Sequence, residues 1–215
     1  MTNFIPIFPL NIVVYPGEKL NLHIFEPRYK QLINECLKEN NSFGIPCVIN
    51  DRIEELGTLM RVTELVKDYE NGEMDIRTEG INIFRTLEIV KSIPDKLYDG
   101  AIVTYPINYM SHGDSDLSNK ILAEVKNMYE LLGVAEKFPA NKTSMISYEI
   151  AHFVGLTRQQ EYELLNIFTE IQRLEYLRRH LNSMASTLTG LQEMKKRINM
   201  NGHFRNLSLG EDDLK

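Results

Sequence analysis

The chain has 215 residues, of which 43% are hydrophobic and 25% charged, and this globular composition excludes a wholly disordered or low-complexity protein. The formal net charge is -6 at pH 7, a sign that argues against a protein coating nucleic acid but leaves room for a local basic patch. The two cysteines are too few for a disulfide framework and lack CxxC spacing. The sequence shows neither a secretory signal nor the roughly 18 consecutive apolar residues that a membrane helix needs. We therefore predict a cytoplasmic protein.

The first half of the chain is predicted to be β-rich. Strand-length apolar or alternating runs recur between turn signals, which is typical of an antiparallel sheet or barrel. The predicted strands are Ile5–Leu10, Leu20–Phe25, Phe43–Ile49, Thr58–Lys67, Met74–Thr78, Ile81–Val90 and Ala101–Ile107. Asn71-Gly72 suits a tight hairpin turn because both residues tolerate positive φ. Gly80 suits a bend or bulge where one strand passes into the next.

One amphipathic helix is predicted to interrupt these strands. Pro27 suits its first position because the missing N–H is not needed there. Asn40-Asn41 is expected to end it. The apolar residues between them recur at helical spacing on one stripe: Tyr29, Leu32, Ile33, Cys36 and Leu37. We expect this helix to cover an open end or face of the sheet.

The pattern becomes helical after the polar, turn-rich segment 111–118, which we interpret as a linker. A first helix is predicted to end at Gly133 and a second to run from Ser144 to Gly155. The first presents one apolar face: Leu117, Ile121, Leu122, Val125, Met128, Tyr129 and Leu132.

Two capping boxes, Thr157-x-x-Gln160 and Thr169-x-x-Gln172, predict a short helix and then a long one from about Glu170 to Met200. Leucines and methionine at spacings of three and four give the long helix a coiled-coil seam: Leu174, Leu177, Leu181, Met184, Leu188 and Leu191. The fold class is therefore predicted as α+β. We expect a β-rich unit over residues 1–110, a helical bundle over 114–200 and a polar tail over 201–215.

The search for catalytic and cofactor motifs is negative. The sequence has no P-loop, no GxGxxG and no GxSxG nucleophile elbow. Asp114-x-Asp116-x-Ser118 opens like a calcium loop, but Asn119 and Val125 occupy its glycine and glutamate positions. No two histidines have the HxxxH spacing of a zinc pair; they are His23, His112, His152, His180 and His203. We predict no metal, no cofactor and no catalytic residue, and the sequence assigns no binding residue.

The individual histidines have ordinary structural interpretations. His23 is expected to be half-buried or at the rim of its strand. His112 lies in the linker with Ser111 and Asp114, and three neighbours on one loop rarely form a triad. His152 and His180 are expected to be satisfied helix residues.

The cysteines and the basic clusters are also expected to be structural. Cys36 and Cys47 lie in apolar surroundings and are predicted to be small buried hydrophobes. Arg178-Arg179-His180 and Lys195-Lys196-Arg197 fall on the long helix, where a solvated face is the favoured interpretation and nucleic-acid binding the alternative.

One block of sequence is specific to a family. A start Ile5-Pro6-Ile7-Phe8-Pro9-Leu10, a Tyr15-Pro16-Gly17 turn and the run Leu22-His23-Ile24-Phe25-Glu26-Pro27-Arg28-Tyr29 resemble the N-terminal substrate-binding domain of ATP-dependent Lon proteases. The resemblance extends to about residue 190. Further matching segments are Phe43-Gly44, Leu56-Gly57-Thr58, Arg61-Val62, Glu79-Gly80, Phe84-Arg85, Gln160–Leu165 and Arg173-Leu174.

The resemblance implies a PUA-like β-barrel followed by a helical bundle that ends in a long helix. A full-length Lon continues into ATPase and Ser–Lys protease modules, and this sequence has no segment like either, so the resemblance implies a stand-alone, non-catalytic domain. Among the signature residues, Phe8, Pro9, Phe25 and Tyr29 are expected in the core. Glu26 is expected to cap the helix or pair with a cation such as Arg28.

The leading hypothesis is a protein-binding module for exposed apolar or unfolded polypeptide, whose partner is a substrate, a protease or a second copy bound through the long helix. An exposed sheet edge would suit such binding by strand addition. The alternative is RNA binding, by analogy with other PUA-like barrels, which predicts a basic face. A small-ligand sensor would need an aromatic-lined concavity, and a hydrolase would need convergent catalytic groups that the sequence does not show.

Overall fold

In a computed structural model, residues 2–110, 115–138 and 146–184, together with Gly190, are described. The strands are β1 Asn3–Pro6, β2 Lys19–Ile24, β3 Phe43–Ile49, β4 Arg52–Asp68, β5 Met74–Val90 and β6 Gly100–Thr104. The helices are α1 Pro27–Glu39, α2 Ser115–Leu132, a 3-10 turn Ala135–Lys137, α3 Ser147–Ala151, α4 Arg158–Leu165 and α5 over residues 170–184.

The strands form one antiparallel sheet in the order β1-β6-β5-β4-β3, with β2 paired to β5 outside this path. Beyond β1 the chain returns to the opposite end of the sheet, where Ile7 bridges Gly44 and Leu10 bridges Cys47 in parallel. These bridges curl the sheet towards closure. The α+β class is confirmed, and β3 has the predicted bounds.

Strand β5 is continuous through Gly80, so the two predicted strands Met74–Thr78 and Ile81–Val90 are one. Leu59 pairs with Asn82 and Met60 with Gly80, which leaves Ile81 as the extra residue of a bulge. A Cβ at Gly80 would clash with the carbonyl oxygen of Tyr15, so glycine is required by this close approach.

Two hairpin turns differ from expectation. In the β4–β5 loop only Gly72 has positive φ, at 75°, and residues 70–72 form a three-residue loop rather than a two-residue turn. The tight two-residue turn is instead Asn50-Asp51, with φ of 49° and 60°, which joins β3 to β4. Strand β4 consequently begins at Arg52 rather than at the predicted Thr58.

Helix α1 follows the predicted pattern except at Leu37, which was expected on the apolar stripe and is 38% exposed. Pro27 occupies its first turn, and Asn40 ends it in the left-handed conformation with φ of 54°. Its buried residues pack against the inner face of β2, β3, β4 and β5; they are Tyr29, Leu32, Ile33 and Cys36.

Helix α2 takes up part of the segment that was expected to be a linker. It begins at Ser115, and its last residue, Leu132, is followed by the predicted cap Gly133, whose φ is 73°. Helix α3 is short and begins after Ile146, while the predicted cap Ser144 lies outside the described residues. The Thr157 capping box is confirmed. Thr157 Oγ1 accepts a hydrogen bond from the backbone N–H of Gln160, and Gln160 Oε1 accepts one from the backbone N–H of Thr157.

Several predictions fall outside the described residues: the end of the long helix at Met200, the tail 201–215, the cluster Lys195-Lys196-Arg197, His112 and His203.

The largest buried cluster contains residues of both halves, including Tyr15, Ile83, Val125, Ile150 and Leu177. The domain boundaries near residues 110 and 114 stay a prediction.

A fully buried guanidinium, that of Arg173, joins the two halves. Its Nη1 donates to Asn108 Oδ1 at 2.8 Å, and its Nη2 donates to the Tyr109 carbonyl at 3.1 Å. Its Nε donates to Ser147 Oγ at 2.8 Å, and its Nη2 forms a 2.8 Å ion pair with Glu170. The chain after β6 is thereby fastened to α3 and α5, and breaking the pair would leave a charge buried without its partner.

We predict that Arg173→Ala lowers the free energy of unfolding by about 3–5 kcal/mol, because Glu170 is left charged and buried. Urea unfolding followed by circular dichroism measures this loss. The exposed Arg178, which pairs with Glu175 on the solvent side of α5, is the matched control, and Arg178→Ala should leave the unfolding midpoint within error. Equal effects of the two substitutions would contradict the structural role of Arg173.

Candidate functional site

Strand β2 has one free edge. It pairs with residues 74–79 of β5 in six consecutive pairs without a bulge, and no described strand pairs with its other side. No backbone hydrogen bond outside the strand ladders joins its residues to the rest of the described chain. An unpaired edge presents N–H and C=O groups at regular intervals and is a template for another extended chain.

A second open edge, that of β4 beyond Met60, is protected where β2 is not. Strand β3 pairs with β4 only up to that residue, which leaves residues 61–68 with no partner on the outer side among the described strands. Two register shifts interrupt this stretch, at Val62/Glu64 and Leu65/Lys67, and it carries four charged side chains. Bulges and charges of this kind discourage strand addition. The regular edge of β2 is therefore the better acceptor.

Phe25 follows β2 directly and is exposed, against the prediction that placed it in the core. It is 58% exposed, whereas Phe8 and Tyr29 are buried and Pro9 is half-buried. The reason is the two-residue period of a strand: Ile24 points inward, so its neighbour points outward. A large aromatic side chain thus stands in solvent at the end of the free edge.

Polar side chains near the tip of the β4–β5 hairpin surround His23, whose ring lies 6.1 Å from that of Phe25. His23 Nδ1 lies 2.7 Å from Asp75 Oδ1, and Tyr69 donates to Asp75 Oδ2 at 2.8 Å. The hydrogen bond from His23 and then that from Tyr69 lower the pKa of Asp75 below its usual range. His23 Nε2 lies 3.4 Å from Glu73, so both nitrogens of the exposed imidazole face carboxylates. This arrangement orients the ring beside Phe25 rather than supplying a free base.

Both cysteines are buried, as predicted. Burial raises the pKa of the Cys36 thiol to about 12 and that of the Cys47 thiol to about 11, so neither is readily ionised to a thiolate.

Among the described residues, no group of three or more His, Cys, Asp or Glu side chains is placed to hold a metal ion. No described helix is long and apolar enough to cross a membrane.

The basic cluster on α5 is an ion-paired helix face. Arg178 and Arg179 contact Glu175 at 2.7 and 3.2 Å, and the Arg178 hydrogen bond lowers the pKa of that carboxyl to about 2. His180 Nε2 lies 2.9 Å from the carbonyl oxygen of Val154.

Glu26, which precedes α1, pairs with Arg28 at 2.7 Å, and this pairing was one of its two predicted roles. It makes no side-chain hydrogen bond that would cap the helix, which was the other.

A cleft of about 690 Å³ lies at the opposite end of β2, between the Pro16-Gly17 turn and α3. No local sequence pattern indicates this cleft, because its two walls are more than 120 residues apart in the chain. The lining is mainly aromatic and apolar and consists of Tyr15, Pro16, Gly17, Ile146, Tyr148 and Phe153 in this part. Four charged residues complete it: Glu18, Lys19, Glu149 and His152. The cleft therefore adjoins the first residue of the free edge.

His152 fastens one wall of the cleft to its surroundings. Its Nε2 lies 3.1 Å from Glu18 Oε2 and its Nδ1 lies 3.4 Å from Glu161 Oε1. Hydrogen bonds that His152 donates to Glu161 first and to Glu18 second raise the pKa of His152 to about 9. The ring is thus cationic at neutral pH and links the Pro-Gly turn to α3 and α4.

Comparison with known proteins gives a consistent result. The family model described as ATP-dependent protease La (LON) substrate-binding domain matches residues 5–183. A Lon N-terminal domain protein from Xanthomonas campestris superposes with a TM-score of 0.64 at 21% identity, over 81% of this chain and 96% of that one. The N-terminal domain of Mycobacterium avium complex Lon protease superposes with a TM-score of 0.55 at 14% identity, over 84% of this chain and 98% of that one. No curated protein matches significantly.

We predict that the stability contributed by His152 depends on pH. Its folded pKa of about 9 lies above the ordinary value of 6.5, so the contribution is full below pH 6.5 and is lost as the pH rises to 9. The side chain is 36% exposed, and screening limits the contribution to about 1 kcal/mol. Urea unfolding of wild type and His152→Gln should differ most at pH 6 and converge above pH 9. Introducing Glu161→Gln should flatten the trend, and a difference independent of pH would contradict the assignment.

Proposed function

The chain belongs to the ATP-dependent protease La (LON) substrate-binding domain family, and from this premise we propose that it binds extended polypeptide segments by strand addition to the free edge of β2. The observation that carries the proposal is the regular, unpaired edge of this strand, which ends at the exposed Phe25. Main-chain hydrogen bonds along such an edge give affinity, and nearby side chains give selectivity.

Unfolded or loosely folded protein is the class of ligand that fits this edge. Such chains offer free backbone N–H and C=O groups, which folded partners have already paired. They also expose apolar side chains, and burying one of these against Phe25 removes aromatic surface from water. The proposed partner is therefore a protein substrate in an extended state.

Binding without catalysis is the role that the described side chains support. Both imidazole nitrogens of His23 and of His152 already face carboxylates, and both thiols are held neutral by burial. A general base needs a free nitrogen within reach of a substrate proton. The free thiols also favour the cytoplasm as the place of action.

Polypeptide is favoured over RNA by the charges around the edge. On the outer surface of β4 and β5, Arg61 pairs with Glu79 and Arg77 with Glu64, so neighbouring charges cancel. An RNA-binding face concentrates unpaired cations that displace counterions. The net charge of -6 points in the same direction.

The first test uses labelled ten-residue peptides of one β-prone sequence, with the backbone N-methylated at no position, at alternate positions or at every position. In a strand, N–H groups on one edge come from every second residue, so the alternately methylated peptide keeps one intact edge and should still bind, whereas the fully methylated peptide has none and should not. Fluorescence anisotropy at physiological salt measures all three. Binding of the fully methylated peptide as tight as that of the unmethylated one would exclude strand addition. Binding of single-stranded RNA that weakens steeply with salt, with none of the peptides, would support the RNA alternative.

The second test asks whether Phe25 contributes. Phe25→Ala should weaken the binding of the unmethylated peptide about tenfold, because the contact buries part of an aromatic side chain. Leu87→Ala is the matched control, since Leu87 on the far half of β5 is 55% exposed and lies away from β2. Circular dichroism checks that both variants stay folded. A loss of affinity shared equally by the two variants would contradict a specific role for Phe25.

A further inference from the structure

The free edge of β2 has an apolar feature at each end. Lys19, its first residue, lines the cleft beside the Pro16-Gly17 turn, and Phe25 follows its last residue. Lys19 and Phe25 are six residue steps apart, which corresponds to about 20 Å of extended chain. A strand added along the whole edge would reach both ends.

The two ends also belong to one face. Along β2 the exposed residues Lys19, Asn21 and His23 alternate with residues that face the core. Phe25 continues the exposed set, and its ring lies 6.1 Å from that of His23. Side chains of a bound strand that are six positions apart project to the same side, because the strand period is two.

The chemistry of the cleft suits an apolar side chain. The Glu18 carboxylate already accepts from the Tyr15 amide and from His152, and Glu149 accepts from the Ile146 amide. Two carboxylates, Glu18 and Glu149, balance the cations Lys19 and His152, so the cleft has no net charge to attract an ion. Half-buried Ile146 and Phe153 supply the apolar wall. A volume of about 690 Å³ is ample for a large side chain.

We infer that the preferred ligand is an extended segment with two large apolar side chains six residues apart, one seated in the cleft and the other packed on Phe25. This inference rests on the proposed strand addition to β2 and adds a spacing rule to it. The segment between the anchors is held by its backbone and is free to vary in sequence.

The test is a series of labelled peptides of one composition, in which two phenylalanines stand four, five, six, seven or eight positions apart in a Thr/Ser background. The spacing of six should bind most tightly. Spacings of five and seven should bind about tenfold more weakly, because one ring then points to the opposite face. Spacings of four and eight keep both rings on one face, but one ring misses its anchor by about 7 Å. The affinities of these peptides should therefore lie between that of the six-spaced peptide and those of the five- and seven-spaced peptides.

The Phe25→Ala variant provides the protein-side control. Its side chain is exposed, so folding should be unaffected, and it should bind the five-spaced and six-spaced peptides equally. Dissociation constants that do not vary with spacing, in peptides whose binding is still abolished by N-methylation at every residue, would overturn the spacing rule and leave strand addition standing. Failure of every peptide to bind would overturn both.

Discussion

The buried guanidinium of Arg173 is the interaction on which the arrangement of the two halves depends. It holds Asn108 and Tyr109 after the last strand, and it holds Ser147 at the start of α3. The guanidinium also lies 4.2 Å above the Tyr148 ring, which in turn stacks on Tyr15 at 4.7 Å. A charge this deeply buried tolerates few alternative geometries, because each lost partner leaves a desolvated N–H. The position of α3 relative to the turn after Tyr15 is fixed by this stack.

The same turn is joined to the sheet by two backbone hydrogen bonds. The amide of Gly17 donates to the Gly80 carbonyl at 2.8 Å, and the Gly80 amide donates to the Glu18 carbonyl at 2.9 Å. The bulge at Gly80 lets the turn approach β5 closely, and β2 leaves the turn already in register with it. The cleft and the free edge therefore adjoin because one close backbone approach sets the start of β2.

Local patterns predicted the elements better than they predicted the site. The bounds of β3, the stripe of α1 and the Thr157 cap all rest on residues within one helix turn or one strand, where periodicity and capping chemistry act. Arg173 shows the limit: its partners Asn108 and Tyr109 lie 65 and 64 residues away, and an arginine among leucines has no local mark of burial. The cleft was beyond sequence reasoning for the same reason. Phe25 is exposed although it is hydrophobic, because the alternation along β2 that turns Ile24 inward turns the next side chain outward.

The contrast between the open edges of β2 and β4 bears on how such a site would choose its ligands. Edge β4 has bulges and alternating charges, the features that keep a sheet from pairing with another chain, while the equally open β2 has a regular register. Recognition through backbone groups is nearly blind to sequence, because every residue except proline offers the same donor and acceptor. A site of this kind discriminates mainly at its ends, where side chains meet pockets. A neutral apolar cleft and an exposed phenylalanine would then suit a protein that must accept many different chains while requiring each to be extended and apolar at two places.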